Sequence, residues 1–374
     1  MSTEPGTSAW IEVRGDLIRR NLERVREITG PGVRLCPMVK ADAYGLGMRR
    51  AVESMRAVEP WGWGVATVAE GLELRRIEPE RPILVFSPAP PGVIEAGLAG
   101  RLTFCVSDVS FLEALEERAR ALGVRAAVHV EVDTGMGRSG LAASEAADWS
   151  ARVRELTTGA LRWEGCFTHF HSADEDDDSW KEQTARFDAA LARVVGGTDD
   201  LIVHLANSAG VLRGADAHRG MVRPGLFLYG GAGWEGLEAP EPVIALRARI
   251  GLVREVAPGT TVGYGATYRA GGCERWATAG IGYGDGIFRA LAGRGRALVR
   301  GRSVPILGRI SMDMTVVDIT DVPGVKAGEV VTFIGSDGDK AITLTEFARA
   351  ARTNEYEVLT GFGPRPVRCW IEAD

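Results

Sequence analysis

LTFCVSDVSFLEALEERARALG, residues 102–123, reads as a short buried strand running straight into an amphipathic helix. The apolar run at 102–106 shows no polar alternation, as a strand covered on both faces should not. Asp108 stands where a helix N-cap belongs. Leu112, Leu115, Ala119 and Leu122 recur at helical spacing, and Gly123 supplies the stop. Similar runs fall near 33–40, 63–68, 82–87, 126–132, 163–170, 201–205 and 221–228, which with 102–106 makes eight. Helix patterns lie between several of them, and a helix over 16–28 with Asp16 as its cap precedes the first. Eight strand–helix units predict a (β/α)8 barrel, a fold of typically about 250 residues. A doubly wound open sheet is the alternative, but its G-x-G-x-x-G turn is missing after the first strand.

Beyond the barrel the pattern changes. The segment GWEGLEAPEPV, 233–243, is rich in Gly, Glu and Pro and reads as a linker. Alternating runs at 244–256, 296–307 and 312–319, with turns at Pro258-Gly259 and Pro323-Gly324, predict a mostly β domain. Thr343-Leu344-Thr345-Glu346 is a capping box that starts one helix within it. The predicted class is therefore α/β, with an N-terminal (β/α)8 barrel over 1–238 and a mostly β C-terminal domain over 239–374. The strand near 9–14 is a candidate to join the second domain.

Composition narrows the function. At 374 residues the chain exceeds one ordinary core, so two domains are expected. A hydrophobic share of 45% and a charged share of 25% are those of a globular protein in water. A net charge of −6 offers no footprint for nucleic acid. The start, MSTEPGTSAW, has no signal-peptide pattern, and no apolar run reaches membrane-spanning length. Five scattered cysteines with no C-x-x-C predict a reduced, cytoplasmic protein without zinc or disulfides. The acidic run at 174–178 lacks the glycine and spacing of a calcium loop and reads as a solvated loop.

The chemistry begins at PMVKADAYGLG, 37–47. An apolar approach delivers Lys40 to a turn carrying Tyr44, Gly45 and Gly47, at a strand exit where side chains meet a ligand. A desolvated amine there is a nucleophile toward a carbonyl, and the resulting Schiff base is how pyridoxal phosphate is held. A surface lysine at a strand end is the competing reading. Four further spots decide against it, because each also lies at a strand end, the functional rim of such a barrel. Asp133 to Arg138 follow strand five, His169 ends strand six, Asn207 and Ser208 follow strand seven, and Arg223 and Gly225 fall in strand eight. Taken singly, the glycines could be turn residues, His169 a core histidine and Arg223 an ion-pair partner. Together they suit a phosphate held by Ser208, Gly225 and the Leu226 amide. Arg223, a permanent cation, could face a pyridine nitrogen and keep it unprotonated.

With these residues assembled, the chain resembles alanine racemase, of the fold-type III pyridoxal phosphate enzymes. The resemblance runs from about residue 10 to 370 through nine ordered motifs. They are PMVKADAYGLG, VDTGMGRSG (132–140), FTHF (167–170), ANSAG (206–210), MVRPGLFLYG (221–230), VGYGATY (262–268), GYGDG (282–286), GRISMD (308–313) and NEYEVLTG (354–361). It implies interconversion of L- and D-alanine with pyridoxal 5'-phosphate, supplying D-alanine for peptidoglycan. It implies that Lys40 carries the cofactor and serves as one base, toward D-alanine, and that Tyr264 is the second, toward L-alanine. Arg138 and the Met312 amide would contact substrate, Arg138 also touching the cofactor. Tyr44, Asn207, Ser208, Gly225, Leu226 and Tyr356 would line the cofactor, mostly at its phosphate. His169 would pack behind the ring and Arg223 would meet its nitrogen. The resemblance also implies a homodimer in which Tyr264 and Met312 reach the partner's barrel.

One position departs from the family. Many members carry a carbamylated lysine at the place of Glu131, seven residues before Arg138. Glu131 offers the same charge, so it is expected to orient Arg138 directly. Three rivals remain. A fold-type III decarboxylase would need a Cys-centred C-terminal motif, which is missing, and would lack Tyr264. A pyridoxal phosphate carrier would be a single barrel. A Schiff-base aldolase would leave the phosphate and pyridine residues without purpose. Substrate breadth between alanine and serine stays open, since one hydroxyl is weakly discriminated.

Overall fold

The computed structural model describes residues 6–231, 234 and 236–371, so the expected linker over 233–243 lies partly outside the described residues. The first strand, β1 (Ala9–Arg14), stands apart from the eight apolar runs. Those runs become β2 (Arg34–Leu35), β3 (Trp63–Val65), β4 (Ile83–Val85), β5 (Thr103–Val106) and β6 (Ala126–Asp133). After the short β7 (Leu141–Ala142) come β8 (Leu161–Phe167), β9 (Ile202–His204) and β10 (Met221–Val222). The parallel order is β2-β10-β9-β8-β6-β5-β4-β3, with β7 pairing off it to β6. A bridge between Met38 and Gly64 closes the ring, backed by Val39 N–H to Gly64 O at 2.8 Å and Gly64 N–H to Pro37 O at 2.9 Å.

Alternation divides the strand side chains between two cores. Ile83 and Val85, Phe104 and Val106, and Val128 and Val130 face the surrounding helices in the main core. Their neighbours Leu84 and Cys105 join Cys36, Phe167 and Met221 in a separate cluster inside the barrel. His129, Glu131, His204 and Arg223 are buried as well. A barrel interior of this kind is packed rather than open, and here half its content is polar. Gly165 makes room for it: a Cβ there would lie 2.3 Å from His129 Nδ1, at the point where the β6–β8 register shifts.

Several local signals act as their chemistry demands. Asp108 caps the helix Val109–Leu122 by accepting from Ser110 N–H, and Gly123 ends it at φ 64. Such a cap is worth about 1 kcal/mol. Leu122 breaks the expectation, being 49% exposed on the last turn. Asp16 does not cap its helix, which spans Gly15–Thr29 with Arg14 at the cap position. It pairs instead with Arg14, Nη2 to Oδ2 at 2.7 Å, because a fork of two charged hydrogen bonds outcompetes a single backbone donor.

The remaining chain builds a second sheet. It begins with β11 (Ile244–Val256); β12 (Thr261–Val262) and β13 (Tyr268–Arg269) form a separate two-stranded hairpin, and the sheet continues with β14 (Glu274–Ala279), β15 (Arg296–Val299), β16 (Arg302–Leu307) and β17 (Thr315–Asp318). β18 (Val330–Asp337), β19 (Lys340–Ile342) and β20 (Val367–Ile371) complete it. The order is β19-β18-β15-β16-β17-β14-β11-β1-β20, with β18 also pairing to β11. Long β11 makes that closure. Its first half pairs with β18 and its second half with β14, across a bulge between Ile250 and Leu252. β1 lies in this sheet, antiparallel to β11 and parallel to β20. Thr343 caps the helix Leu344–Ala351 through the expected capping box. A second helix, Glu355–Thr360, follows it where the sequence reading has only one.

Candidate active site

Lys40 does not leave a straight strand. Residues 40–45 form a turn in which Ala41, Asp42, Ala43 and Tyr44 are all left-handed, with φ from 51° to 57°. Each such non-glycine residue costs roughly 1–2 kcal/mol, so four cost roughly 4–8 kcal/mol. Surrounding bonds hold the turn. Asp42 Oδ1 accepts from Met48 N–H at 2.6 Å, Asp42 O accepts from Gly47 N–H at 2.9 Å, and Gly45 O accepts from Arg368 Nε at 3.0 Å. Tyr44 is buried with its ring 4.7 Å from that of Tyr229 and 6.0 Å from that of Tyr356. The result is that Lys40 and Tyr44, four residues apart, line one cleft.

That cleft, partly open to solvent, sits at the C-terminal ends of the barrel strands. It gathers Lys40, Tyr44, Arg138, His169, Asn207, Ser208, Arg223, Gly225, Leu226 and Tyr356, which is every expected barrel-side residue and the tyrosine of the late helix. Glu131, Met38, Phe86 and Phe167 complete the lining. Tyr264 and Met312 are not in it. They lie in the part of the chain that builds the second sheet, 68% and 51% exposed, and Tyr283 and Met314 are exposed as well.

Burial sets the charge states. Desolvation lowers the Lys40 pKa, helped by the Arg138 and Arg223 charges and opposed by Glu70. Desolvation likewise drives His169 well below its usual range, with Arg223, Arg138 and Lys40 adding to the effect. Burial raises the Tyr44 hydroxyl and pushes Tyr356 up to about 12, so both stay protonated donors near neutrality. Neither the Lys40 amine nor the Arg138 guanidinium makes a hydrogen bond or ion pair among the described residues.

Both terminal nitrogens of Arg223 are engaged. Its Nη1 donates to His204 Nδ1 at 2.7 Å, and its Nη2 to Thr168 O at 2.9 Å, Leu205 O at 3.0 Å and His169 Nδ1 at 3.3 Å. Burial brings its pKa down to about 10, which leaves it a cation at neutral pH. A guanidinium only donates, so both Nδ1 atoms must accept. His204 therefore carries its proton on Nε2 and donates to His129 Nδ1 at 2.8 Å. His129 in turn has its proton on Nε2, 3.4 Å from Glu164 Oε2 but too poorly aligned for a hydrogen bond. A polar line thus runs from the cleft through the barrel core. The sequence reading misses His129, His204 and Glu164. The signal was present in AVHVEV and IVHL, polar side chains set inside apolar runs at inward positions.

Ser208 Oγ accepts from Gly225 N–H at 2.8 Å and from Phe227 N–H at 3.2 Å. The Gly225 amide, expected to face a phosphate, is therefore used internally, while the Leu226 amide makes no hydrogen bond among the described residues. Asn207 Oδ1 caps the helix Ser208–Leu212 through Gly210 N–H at 2.9 Å. The expected Glu131–Arg138 pair is not formed. Glu131 Oε2 accepts from Ser107 Oγ at 2.7 Å. Ser107 ends the strand beside β6, since Val106 pairs with Val130, and so it lies nearer to Glu131 than the loop that carries Arg138.

Comparison with known proteins supplies the family. Residues 13–233 match the family model "Alanine racemase, N-terminal domain" and residues 243–370 match "Alanine racemase, C-terminal domain". The alanine racemase of Symbiobacterium thermophilum is 37% identical over 365 residues, 96% of each chain. The crystal structure of alanine racemase from D-cycloserine-producing Streptomyces lavendulae superposes with a TM-score of 0.93 at 30% identity, covering 99% of both chains. That from Bartonella henselae, described with covalently bound pyridoxal phosphate, gives 0.89 at 26% identity over 98% of this chain and 100% of that one. Two family models spanning both sheets, and relatives matched from end to end, place the chain in the alanine racemase family.

Proposed function

We propose that this cleft binds pyridoxal 5'-phosphate on Lys40 and interconverts L-alanine and D-alanine by two bases, Lys40 and Tyr264. The carrying observation is that one cleft collects Lys40, the Ser208–Gly225–Leu226 cradle and Arg223 in a chain of this family. The residues fit the cofactor. Both acceptor sites of Ser208 Oγ are taken by amides, so its hydrogen is left for an anion. The Leu226 amide and the Tyr44 and Tyr356 hydroxyls are donors around the same place. A Cβ on Gly225 would fall 2.3 Å from the Tyr44 hydroxyl and fill the cradle.

When bound, pyridoxal phosphate supplies an electron-withdrawing ring that acidifies the amino acid's Cα–H bond. The protein does the rest. The lowered pKa of Lys40 raises the neutral fraction of its amine, the form that bonds to a carbonyl and that accepts a proton. Arg138, with its donors unengaged, takes the substrate carboxylate. Arg223, which only donates, would leave a pyridine nitrogen set against it unprotonated. Lys40 then serves the Cα proton on one face, that of D-alanine, and Tyr264 the face of L-alanine.

Tyr264 lies outside its own chain's cleft, exposed on the turn between β12 and β13. We infer a homodimer in which Tyr264 of the partner subunit and Met312 of the partner subunit complete each cleft. The exposure of Tyr264 and Met312 supports this, and exposed Tyr283 stands on the segment next to Met312, tied by Gly284 N–H to Met312 O at 2.9 Å. The chain then divides at about 238/239 into cofactor barrel and partner-facing β domain, with β1 serving the latter. Five free thiols and the absence, among the described residues, of any helix long and apolar enough to cross a membrane suit a cytoplasmic enzyme feeding peptidoglycan synthesis. Borohydride reduction of the loaded protein and peptide mapping test the reading. Label on Lys40 supports it, whereas label on Lys181 or Lys326 with Lys40 free overturns it.

A further inference from the structure

The left-handed turn after Lys40 needs an anchor at its start, and a residue from another strand–helix unit provides one. Glu70 lies in the first turn of the helix Val68–Arg75. Its Oε1 accepts from Ala41 N–H at 2.8 Å, the amide directly after Lys40. Its Oε2 accepts from Ala66 N–H at 2.7 Å and Thr67 N–H at 3.2 Å. One carboxylate thus clamps two segments whose backbones also meet at Val39 and Gly64. The far end of the turn is tied through Asp42, Gly45 and Met48. At the Lys40 end, Glu70 is the side-chain tie among the described residues.

We propose that Glu70 is a positioning residue for Lys40, holding the amine's backbone at the entry to a turn that would otherwise relax. The proposal rests on the reading that Lys40 carries the cofactor. A left-handed run of four non-glycine residues does not hold itself in place. If the Ala41 amide is released, Lys40 is the residue whose direction changes, since it is the last one before φ turns positive. A carboxylate suits the task because it brings two acceptor oxygens to two segments. A carboxamide brings one, and its NH2 would face an N–H donor. The Glu70 charge also acts on the Lys40 amine, against those of Arg138 and Arg223.

A helix cap alone would explain the Ala66 and Thr67 bonds but not the Ala41 bond, and the test separates the two. Holoenzyme is prepared for wild type, Glu70→Gln and Thr67→Ala, with thermal unfolding as the check on folding. Thr67→Ala removes the hydroxyl that accepts from Glu70 N–H at 3.2 Å and leaves the Ala41 bond in place. Glu70→Gln is expected to lower kcat by about 10- to 100-fold with KM for alanine changed far less, the scale of a misplaced catalytic group. Its cofactor absorbance should titrate at lower pH than wild type, and its apo-protein should take up pyridoxal phosphate more slowly. Thr67→Ala should match wild type in all three. Equal effects in both variants would assign Glu70 to capping alone and overturn the proposal, as would wild-type behaviour in Glu70→Gln. If Glu70→Gln does not fold, Glu70→Asp, one methylene shorter, is expected to keep the cap and show the same kcat loss, and a wild-type kcat there overturns the proposal. Should wild type trap no cofactor on Lys40, the underlying reading fails instead, and that outcome is visible separately.

Discussion

Gly225→Ala isolates the phosphate cradle, because its consequence is steric and local. The methyl would land 2.3 Å from Tyr44 Oη, 3.1 Å from Tyr44 Cζ and 3.4 Å from Met38 Cβ. An ordinary contact needs roughly 1 Å more than 2.3 Å provides, given carbon contacts of about 3.5 Å. Tyr44 cannot supply it easily. Its ring is packed between Tyr229 and Tyr356, and its backbone sits in the left-handed turn. The displacement should cost about 1–3 kcal/mol in stability, as overpacking does. It should also remove the Tyr44 hydroxyl from the phosphate, a charged hydrogen bond worth about 1.5–3 kcal/mol. At about 1.4 kcal/mol per decade, cofactor affinity falls by about 10- to 100-fold. Titration of apo-protein with pyridoxal phosphate, followed by absorbance, measures this, and thermal unfolding measures the first term. Gly92→Ala, where a Cβ meets nothing within 4 Å, is the control. Affinity within twofold of wild type in Gly225→Ala would refute the cradle assignment.

Two further outcomes follow from the charge states. His129, His169 and His204 all have lowered pKa values through burial, so the native state binds fewer protons than the unfolded chain once pH falls below about 6.5. Stability should therefore fall with pH from there, with a ceiling near 4 kcal/mol per pH unit for three protons; denaturant midpoints that stay level from pH 7 to 5 would contradict it. Arg138→Met should raise KM for alanine by tenfold or more, since an unengaged guanidinium is the proposed carboxylate anchor, a bond worth about 1.5–3 kcal/mol. The same change should raise the Lys40 pKa by removing the strongest charge repulsion on its amine, read as a higher-pH absorbance midpoint; an unchanged KM would show that substrate is held elsewhere.

The barrel was legible because parallel strands are covered on both faces, so runs such as ILV at 83–85 and TFCV at 103–106 stand out without alternation. Asp108, Gly123, Thr343 and Glu346 mark helix ends through local chemistry that needs no tertiary context. The cleft residues were legible as far as they follow strand ends. What lay hidden depends on neighbours distant in sequence. Ser107 claims Glu131 from 24 residues away because their strands are adjacent. His129 and His204 meet across 75 residues. The left-handed turn had no local cue either, since Ala-Asp-Ala-Tyr has no preference for positive φ and tertiary bonds impose it. The helix carrying Tyr356 did have one: Asn354 accepts from Glu357 N–H at 3.0 Å, a cap readable in NEYE.

The shared site is tested most directly by mixing two inactive variants, Lys40→Ala and Tyr264→Phe, unfolded together and refolded. Random pairing makes half the dimers mixed, and each mixed dimer holds one site with both wild-type residues. If Lys40 of one subunit works with Tyr264 of the other, racemisation of L-alanine should recover to about a quarter of wild type, with sites acting independently. No recovery at any mixing ratio, with mixed dimers shown to form, would place both bases on one chain and contradict the two-chain site.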